Sequence, residues 1–112
     1  MTKWPRSLFS LLLAAFALTA HAAPDAATAL SIVQKNNCVS CHAVDSQVVG
    51  PAYREIAKKY RGDATAPDTL FTKVRKGGAF VWGEVPMPAN PGISDADLHT
   101  VIAWILAGAP DH

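Results

Sequence analysis

The feature that most constrains this chain is the segment CVSCH at residues 38–42, which holds both cysteines of the protein and a histidine. Two cysteines at this spacing can serve as a disulfide, as a redox-active dithiol or as the attachment point of a cofactor. A disulfide across so short a loop gains little stability, because the benefit of loop closure grows with the number of enclosed residues. The roughly 90 residues beyond residue 22 are of marginal size for a core built from side chains alone, so we expect another apolar mass in the centre of the domain.

The rest of the sequence discriminates between the remaining alternatives. A thioredoxin-like dithiol lies beside a βαβ pattern, and no segment here shows clear strand alternation. A structural zinc site needs about four ligands, but beyond residue 22 the other histidines are His99 and His112, whose spacing does not suit a ligand pair. Cys-x-x-Cys-His is the attachment motif of c-type haem. We therefore predict thioethers at Cys38 and Cys41 and an iron ligand at His42, with a haem-free thiol oxidoreductase as an alternative.

A second axial ligand is predicted at Met87, the only methionine beyond residue 22. It lies in a stretch rich in glycine and proline, residues 77–92, with Pro86 and Pro88 restricting the backbone on both sides. His/Met pairing is one known form of haem ligation, although methionines more often fill gaps in a core. Because a long loop in a small domain is usually functional or disordered, and this one is rich in apolar residues, we expect it to be packed against something and to reach around the haem edge.

Helical periodicity predicts an all-α fold with four helices. Leu98, Val101, Ile102 and Ile105 recur at helical spacing behind a capping residue, Ser94, which is typical of an amphipathic helix with one buried face. The predicted helices cover about residues 25–37, 51–62, 67–78 and 94–107. In the second, Pro51 is expected in the first helical turn and a glycine just past the end.

The N-terminus predicts a secretory signal peptide over residues 1–22. Lys3 and Arg6 precede a short apolar run, and small residues flank a cleavage site near Ala22. Cleavage there leaves one domain, residues 23–112, and lowers the formal net charge from +1 to −1, because two basic and no acidic residues are removed. We expect this near-neutral domain to bind no nucleic acid and, after cleavage, to have no stable membrane insertion.

Two stretches of the sequence resemble small bacterial class I cytochromes c, in particular the cytochrome c-551 type. They read CVSCHAVDSQVVGPAYREIAKKYRG from Cys38 and VWGEVPMPAN from Val81. The resemblance implies about four helices wrapped around one covalently attached haem. It also implies site roles for three further residues: the Pro51 carbonyl accepts a hydrogen bond from the haem histidine, Trp82 donates to a haem propionate, and Asn90 lies near the methionine ligand.

The sequence departs from this family pattern at two positions. Asn37 stands where glycine is common, but asparagine also tolerates a left-handed backbone. Val33 stands where an aromatic residue is common, which leaves the packing between the first and last helices less certain than the cofactor.

By this resemblance the protein is expected to be a soluble, monomeric, periplasmic electron carrier rather than an enzyme. The implied partners are redox proteins such as nitrite reductase, a terminal oxidase or a cytochrome bc1-type donor. Two other functions remain open: a haem subunit of a larger dehydrogenase, and a haem enzyme or gas sensor with an open sixth iron site. The haem edge is expected to carry an apolar docking rim of Val39, Val48, Val49, Pro88 and Ala89.

Overall fold

The computed structural model describes residues 2–3, 14–15 and 24–112. The predicted signal peptide therefore lies almost entirely outside the described residues. The helices are α1 Ala26–Lys35, α2 Tyr53–Lys59, α3 Ala66–Lys76 and α4 Asp95–Leu106, with a short 3-10 turn at Cys38–Ser40. In the described part of the chain, the pairings His42–Gln47 and Gly78–Met87 are isolated bridges, and no strand forms. The all-α prediction is confirmed.

Side-chain caps begin the first and last helices close to residues 25 and 94, where the sequence predicted these helices to start. Asp25 Oδ2 accepts a hydrogen bond from Thr28 N at 3.1 Å, and Ser94 Oγ accepts one from Asp97 N at 3.1 Å. Each bond satisfies an amide that has no partner within its own helix. The third helix, α3, ends just before Gly77, whose φ of 70° is a left-handed value that favours glycine.

The second helix is shorter than predicted, and Pro51 lies before it rather than in its first turn. Tyr53 N donates to Ala43 O at 2.9 Å and Arg54 N donates to Val44 O at 3.1 Å. The first amides of α2 are thus bonded to the preceding loop instead of to an N-cap side chain. This docking fixes the helix start at Tyr53 and leaves the Pro51 carbonyl outside the helical bonding pattern.

The core is built around α4, which packs against each of the other three helices. Trp104 on α4 is fully buried, and Ala29 of α1 is equally inaccessible, so a small residue and a large one fill the central layer. The four residues predicted as the inner face of the last helix are all buried. The C-terminal residues close one end of this core, because the Trp104 indole donates to Pro110 O at 3.0 Å.

Arg54 joins three parts of the chain at the same end of the molecule. Its guanidinium donates to Ala109 O at 3.3 Å and to Asp111 Oδ1 at 2.9 Å, and it also pairs with Asp45. The loop after the cysteine segment, α2 and the C-terminus are therefore tied together by one side chain.

The loop over residues 77–92 packs only in part against the described protein. Phe80 is 83% exposed, and Val81 and Trp82 are also exposed, whereas Met87 is partly buried. The Phe80 amide donates to Gly83 O at 2.7 Å, and Phe80 has a φ of 75°. This local turn holds the Phe80 side chain in solvent. Among the described residues, no helix is long and apolar enough to cross a membrane.

Candidate haem site

The segment from Cys38 to His42 folds into one tight turn. Cys41 N and His42 N both donate to Cys38 O, at 3.2 and 3.0 Å. The turn begins at Asn37, whose φ of 61° is left-handed, and Ser40 Oγ donates to its side chain at 2.7 Å. Asparagine thus takes the conformation expected of it at this position. The local fold brings two thiols and an imidazole onto one short piece of backbone.

The two thiols are both free and partly buried. Burial raises the pKa of the Cys38 thiol, and its backbone hydrogen bonding opposes this only in part. Reactive dithiols instead have a lowered pKa, because the thiolate is the nucleophile. Together with the lack of strands among residues 24–112, this disfavours a thiol oxidoreductase.

The His42 ring is held on one edge by the Pro51 carbonyl, 2.7 Å from Nδ1. A carbonyl oxygen can only accept, so Nδ1 carries the proton and Nε2 keeps a lone pair free for a metal. Such a hydrogen bond fixes the ring orientation and raises the basicity of a ligating histidine. Because the two residues are nine positions apart, only the loop fold brings them together.

Gly50 leaves the space that the His42 ring occupies. A Cβ at Gly50 would lie 2.6 Å from His42 Cε1, closer than real Cβ atoms approach, and 3.0 Å from Nδ1, which is also tight. The Gly50 amide is itself fixed, since it donates to Cys41 O at 2.7 Å. The lack of a side chain at Gly50 is therefore a requirement of the site that the sequence did not reveal.

Tyr53 is a second residue of the site that the sequence did not reveal. Its ring stacks on His42 with centroids 5.5 Å apart and planes 23° apart. Its hydroxyl is buried and has no hydrogen-bond partner among the described residues. Burial raises the pKa of Tyr53 strongly, and the negative charge of an ionised Cys38 would raise it further. The phenol therefore stays neutral beside the cysteine segment.

Met87 is fixed by backbone bonds to the end of α3. Gly78 N donates to Met87 O at 3.0 Å, and Met87 N donates to Gly78 O at 2.8 Å. A Cβ on Gly77 would lie 2.3 Å from Met87 O, so the two chain segments touch closely only because Gly77 has no side chain. This backbone pairing fixes Met87, the predicted ligand, beside the C-terminal end of α3.

Asn90 secures the other end of the same loop. Its side-chain amide donates to Pro88 O at 3.1 Å, and its backbone amide donates to Val74 O at 3.0 Å. Its own carbonyl accepts from the Arg75 guanidinium at 3.0 Å. Asn90 thus connects Pro88, the residue after Met87, to α3.

Trp82 lies on the exposed part of the loop. Its ring is 5.4 Å from the Lys59 Nζ of α2, within cation–π range. Within the described residues no protein group accepts a hydrogen bond from its indole N–H, unlike that of Trp104. Trp82 therefore has a donor available for a group that is not part of the protein.

The predicted site residues form two groups. The first contains Cys38, Cys41, His42 and Pro51, and the second consists of Trp82, Met87 and Asn90 on the loop after α3. Within the described residues no hydrogen bond joins the two groups. Thiols for two thioethers, a free imidazole nitrogen and a thioether sulfur suit a c-type haem, so the donor set fits this group.

Comparison with known proteins decides the family. The family model for cytochrome c matches residues 26–109. The chain belongs to the cytochrome c family. It is 49% identical over 84 residues to cytochrome c-551 of Allochromatium vinosum, a match that covers 75% of this chain and 89% of the relative. It is 45% identical over 75 residues to cytochrome c-552 of Nitrosomonas europaea, covering 67% and 73% of the two chains.

A solved structure agrees with this assignment. The crystal structure of wild-type Nitrosomonas europaea cytochrome c552 aligns with a TM-score of 0.68 at 43% identity, over 70% of this chain and 98% of that one. Membership implies an electron carrier rather than an enzyme, with a c-type haem attached covalently through two cysteines. The predicted family, class I fold and carrier function are thereby confirmed at this level.

Proposed function

We propose that this cytochrome c is a periplasmic carrier that shuttles single electrons between respiratory or denitrification partners through a His/Met-ligated haem. Cys38 and Cys41 would hold the haem as thioethers, and His42 and Met87 would supply the two ligands of its iron. When bound, the haem supplies a reversible one-electron couple between Fe(III) and Fe(II). The polypeptide would bind the group and orient its ligands.

The observation that carries the proposal is the His42–Pro51 hydrogen bond of 2.7 Å beside both free thiols. The bond assigns the proton to Nδ1 and leaves Nε2 free on the same turn as the attachment residues. A disulfide or thiol-redox function has no use for an imidazole oriented in this way. Iron ligation uses each of these features.

Ligation by Met87 is supported by how the loop is built. Backbone bonds to Gly78 hold the residue itself, and Asn90 binds the adjacent Pro88 carbonyl. A thioether ligand held in this way needs little rearrangement when the iron changes oxidation state. Trp82 is proposed to donate its indole N–H to a haem propionate, and the Lys59 ammonium beside its ring adds positive charge at that place.

The proposed docking surface for redox partners is the apolar rim of the haem edge. Val39, Val48 and Val49 are exposed, as are Pro88 and Ala89. Transient redox complexes bury little area, so a few exposed valines suffice for a short-lived contact. A signal peptide over residues 1–22 would deliver the chain to the periplasm, where nitrite reductase, terminal oxidases and cytochrome bc1-type donors are the candidate partners.

The experiment that tests the function is an optical titration of the protein produced in a host that matures c-type haem. We expect a low-spin spectrum in both oxidation states, with the weak far-red band of methionine bound to Fe(III). The band should disappear in Met87→Ala. It should remain in the control variant Val85→Ala, which changes an exposed residue of the same loop. A high-spin spectrum of the wild-type protein, or ready binding of carbon monoxide, would overturn the carrier in favour of an enzyme or gas sensor.

A further inference from the structure

We propose that Tyr53 is a positioning residue that sets the rotational orientation of the His42 imidazole. This inference rests on the proposed function only in taking His42 as the iron ligand. The Pro51 carbonyl holds Nδ1 at 2.7 Å and so limits rotation of the ring, but a hydrogen bond tolerates some tilt of the ring plane. A contact on the ring face limits that tilt.

The face of Tyr53 supplies that second contact. The two rings are stacked with centroids 5.5 Å apart and an interplanar angle of 23°, and Tyr53 is only 4% exposed. The Gly50 backbone lies against the imidazole as well, because a Cβ there would overlap its ring atoms. The imidazole is thus confined by three neighbours, of which only Tyr53 offers a flat face.

Tyr53 is itself held from behind. The Trp104 ring meets it edge-on, with centroids 5.5 Å apart and planes 68° apart. Trp104 is fully buried, and its indole N–H donates to Pro110 O at 3.0 Å. A row of aromatic contacts therefore runs from His42 through Tyr53 to Trp104, which lies on the core helix α4 and is hydrogen-bonded to the C-terminal segment.

The ring face, and not the hydroxyl, carries the positioning role. The Tyr53 hydroxyl is buried with no hydrogen-bond partner in the described part of the chain, so it contributes no bond that could orient His42. The negative face of an aromatic ring also favours an adjacent positive charge. Since His42 bears more positive charge beside Fe(III) than beside Fe(II), Tyr53 stabilises the oxidised form.

The test compares Tyr53→Phe, which keeps the face, with Tyr53→Leu, which removes it, in the haem-loaded protein. The readouts are the paramagnetic NMR shifts of the haem methyl groups, which depend on the planes of the axial ligands, and the reduction potential. We expect Tyr53→Phe to retain the wild-type pattern of shifts. Tyr53→Leu should reorder the methyl shifts and raise the potential.

Val33→Ala is the control for loss of stability alone, since Val33 is a buried core residue on α1. It should lower the melting temperature and leave the methyl shifts unchanged. If Tyr53→Leu behaves like Val33→Ala, Tyr53 only fills the core and the proposal is wrong. If Tyr53→Leu does not load haem, Tyr53→Met takes its place with the same expectation. Lack of a nuclear Overhauser contact between the Tyr53 and His42 rings in the wild-type protein would also overturn it.

These outcomes are separate from failure of the proposed function. A wild-type spectrum without methionine ligation refutes the His/Met carrier, whatever Tyr53 does. Unchanged methyl shifts in a low-spin Tyr53→Leu protein refute the positioning role alone.

Discussion

Replacing Gly50 by alanine should displace the His42 imidazole by steric overlap alone, with His42 itself unchanged. The added Cβ would lie 2.6 Å from His42 Cε1, whereas carbon atoms attract best at about 3.5–4.0 Å. Either the ring or the Gly50 backbone must therefore retreat by about 1 Å. Gly50 is not among the glycines with positive φ, so alanine adds a steric contact there and no backbone strain.

Each way of relieving this overlap breaks a short hydrogen bond. If the ring moves, the His42–Pro51 distance of 2.7 Å grows to about 3.6 Å, at which a hydrogen bond no longer exists. If the backbone moves, the bond from Gly50 N to Cys41 O, also 2.7 Å, is stretched instead. One lost bond costs about 0.5–1.5 kcal/mol, and a ring forced off its rotamer costs about 0.5–1.5 kcal/mol more.

The free energy of unfolding should thus fall by about 1–3 kcal/mol in total. For a domain of this size the melting temperature falls by about 4–8 °C per kcal/mol, so we expect a decrease of roughly 4–24 °C. The assay is thermal unfolding of haem-loaded protein, followed by circular dichroism. NMR detection of the His42 Nδ1 proton shows whether the bond to Pro51 survives.

Gly92→Ala is the matched control for this experiment. No atom lies within 4 Å of a Cβ built at Gly92, and a compatible glycine-to-alanine change stabilises a protein by about 0.4–1 kcal/mol. If Gly50→Ala has the same melting temperature as Gly92→Ala and keeps the NMR signal of the His42 Nδ1 proton, the steric argument is refuted. Such a result would mean that the loop adapts without loss.

Two further predictions concern the surface. Val48→Asp should slow electron transfer to a nitrite reductase or cytochrome bc1-type partner and leave the absorption spectrum unchanged; an unaltered bimolecular rate would rule out the apolar rim. Hydrogen bonds from the Thr65 hydroxyl and amide lower the pKa of Asp63. The ionised Asp63 therefore stabilises the folded protein fully above the unfolded pKa of about 3.9. This stabilisation is lost as the pH falls through the lower pKa of the folded state. Asp63→Asn should therefore lose less stability on acidification than the wild-type protein, and equal losses in melts between about pH 6 and pH 2.5 would contradict this.

The sequence alone determined those features that depend on neighbouring residues. The five consecutive residues from Cys38 to His42 stay near one another along the chain in any fold, so the attachment motif could be recognised without a structure. Ser94 and the apolar repeat behind it specified α4, because a cap and a helical period are both local. The cysteine motif and the single methionine beyond residue 22 limited the choice of ligands, although Met87 as a ligand stays a proposal.

Only the tertiary structure decided how the His42 ring is surrounded. The Pro51 carbonyl, the bare backbone of Gly50 and the face of Tyr53 reach it through a loop whose amides bond to distant carbonyls. That loop also moved the start of α2 past Pro51, since the carbonyls of residues 43 and 44 accept from the first helical amides. Trp104 supports the stack from α4, more than fifty residues away along the chain. Contacts between residues so far apart depend on how the helices pack, and no periodicity within one segment records that packing.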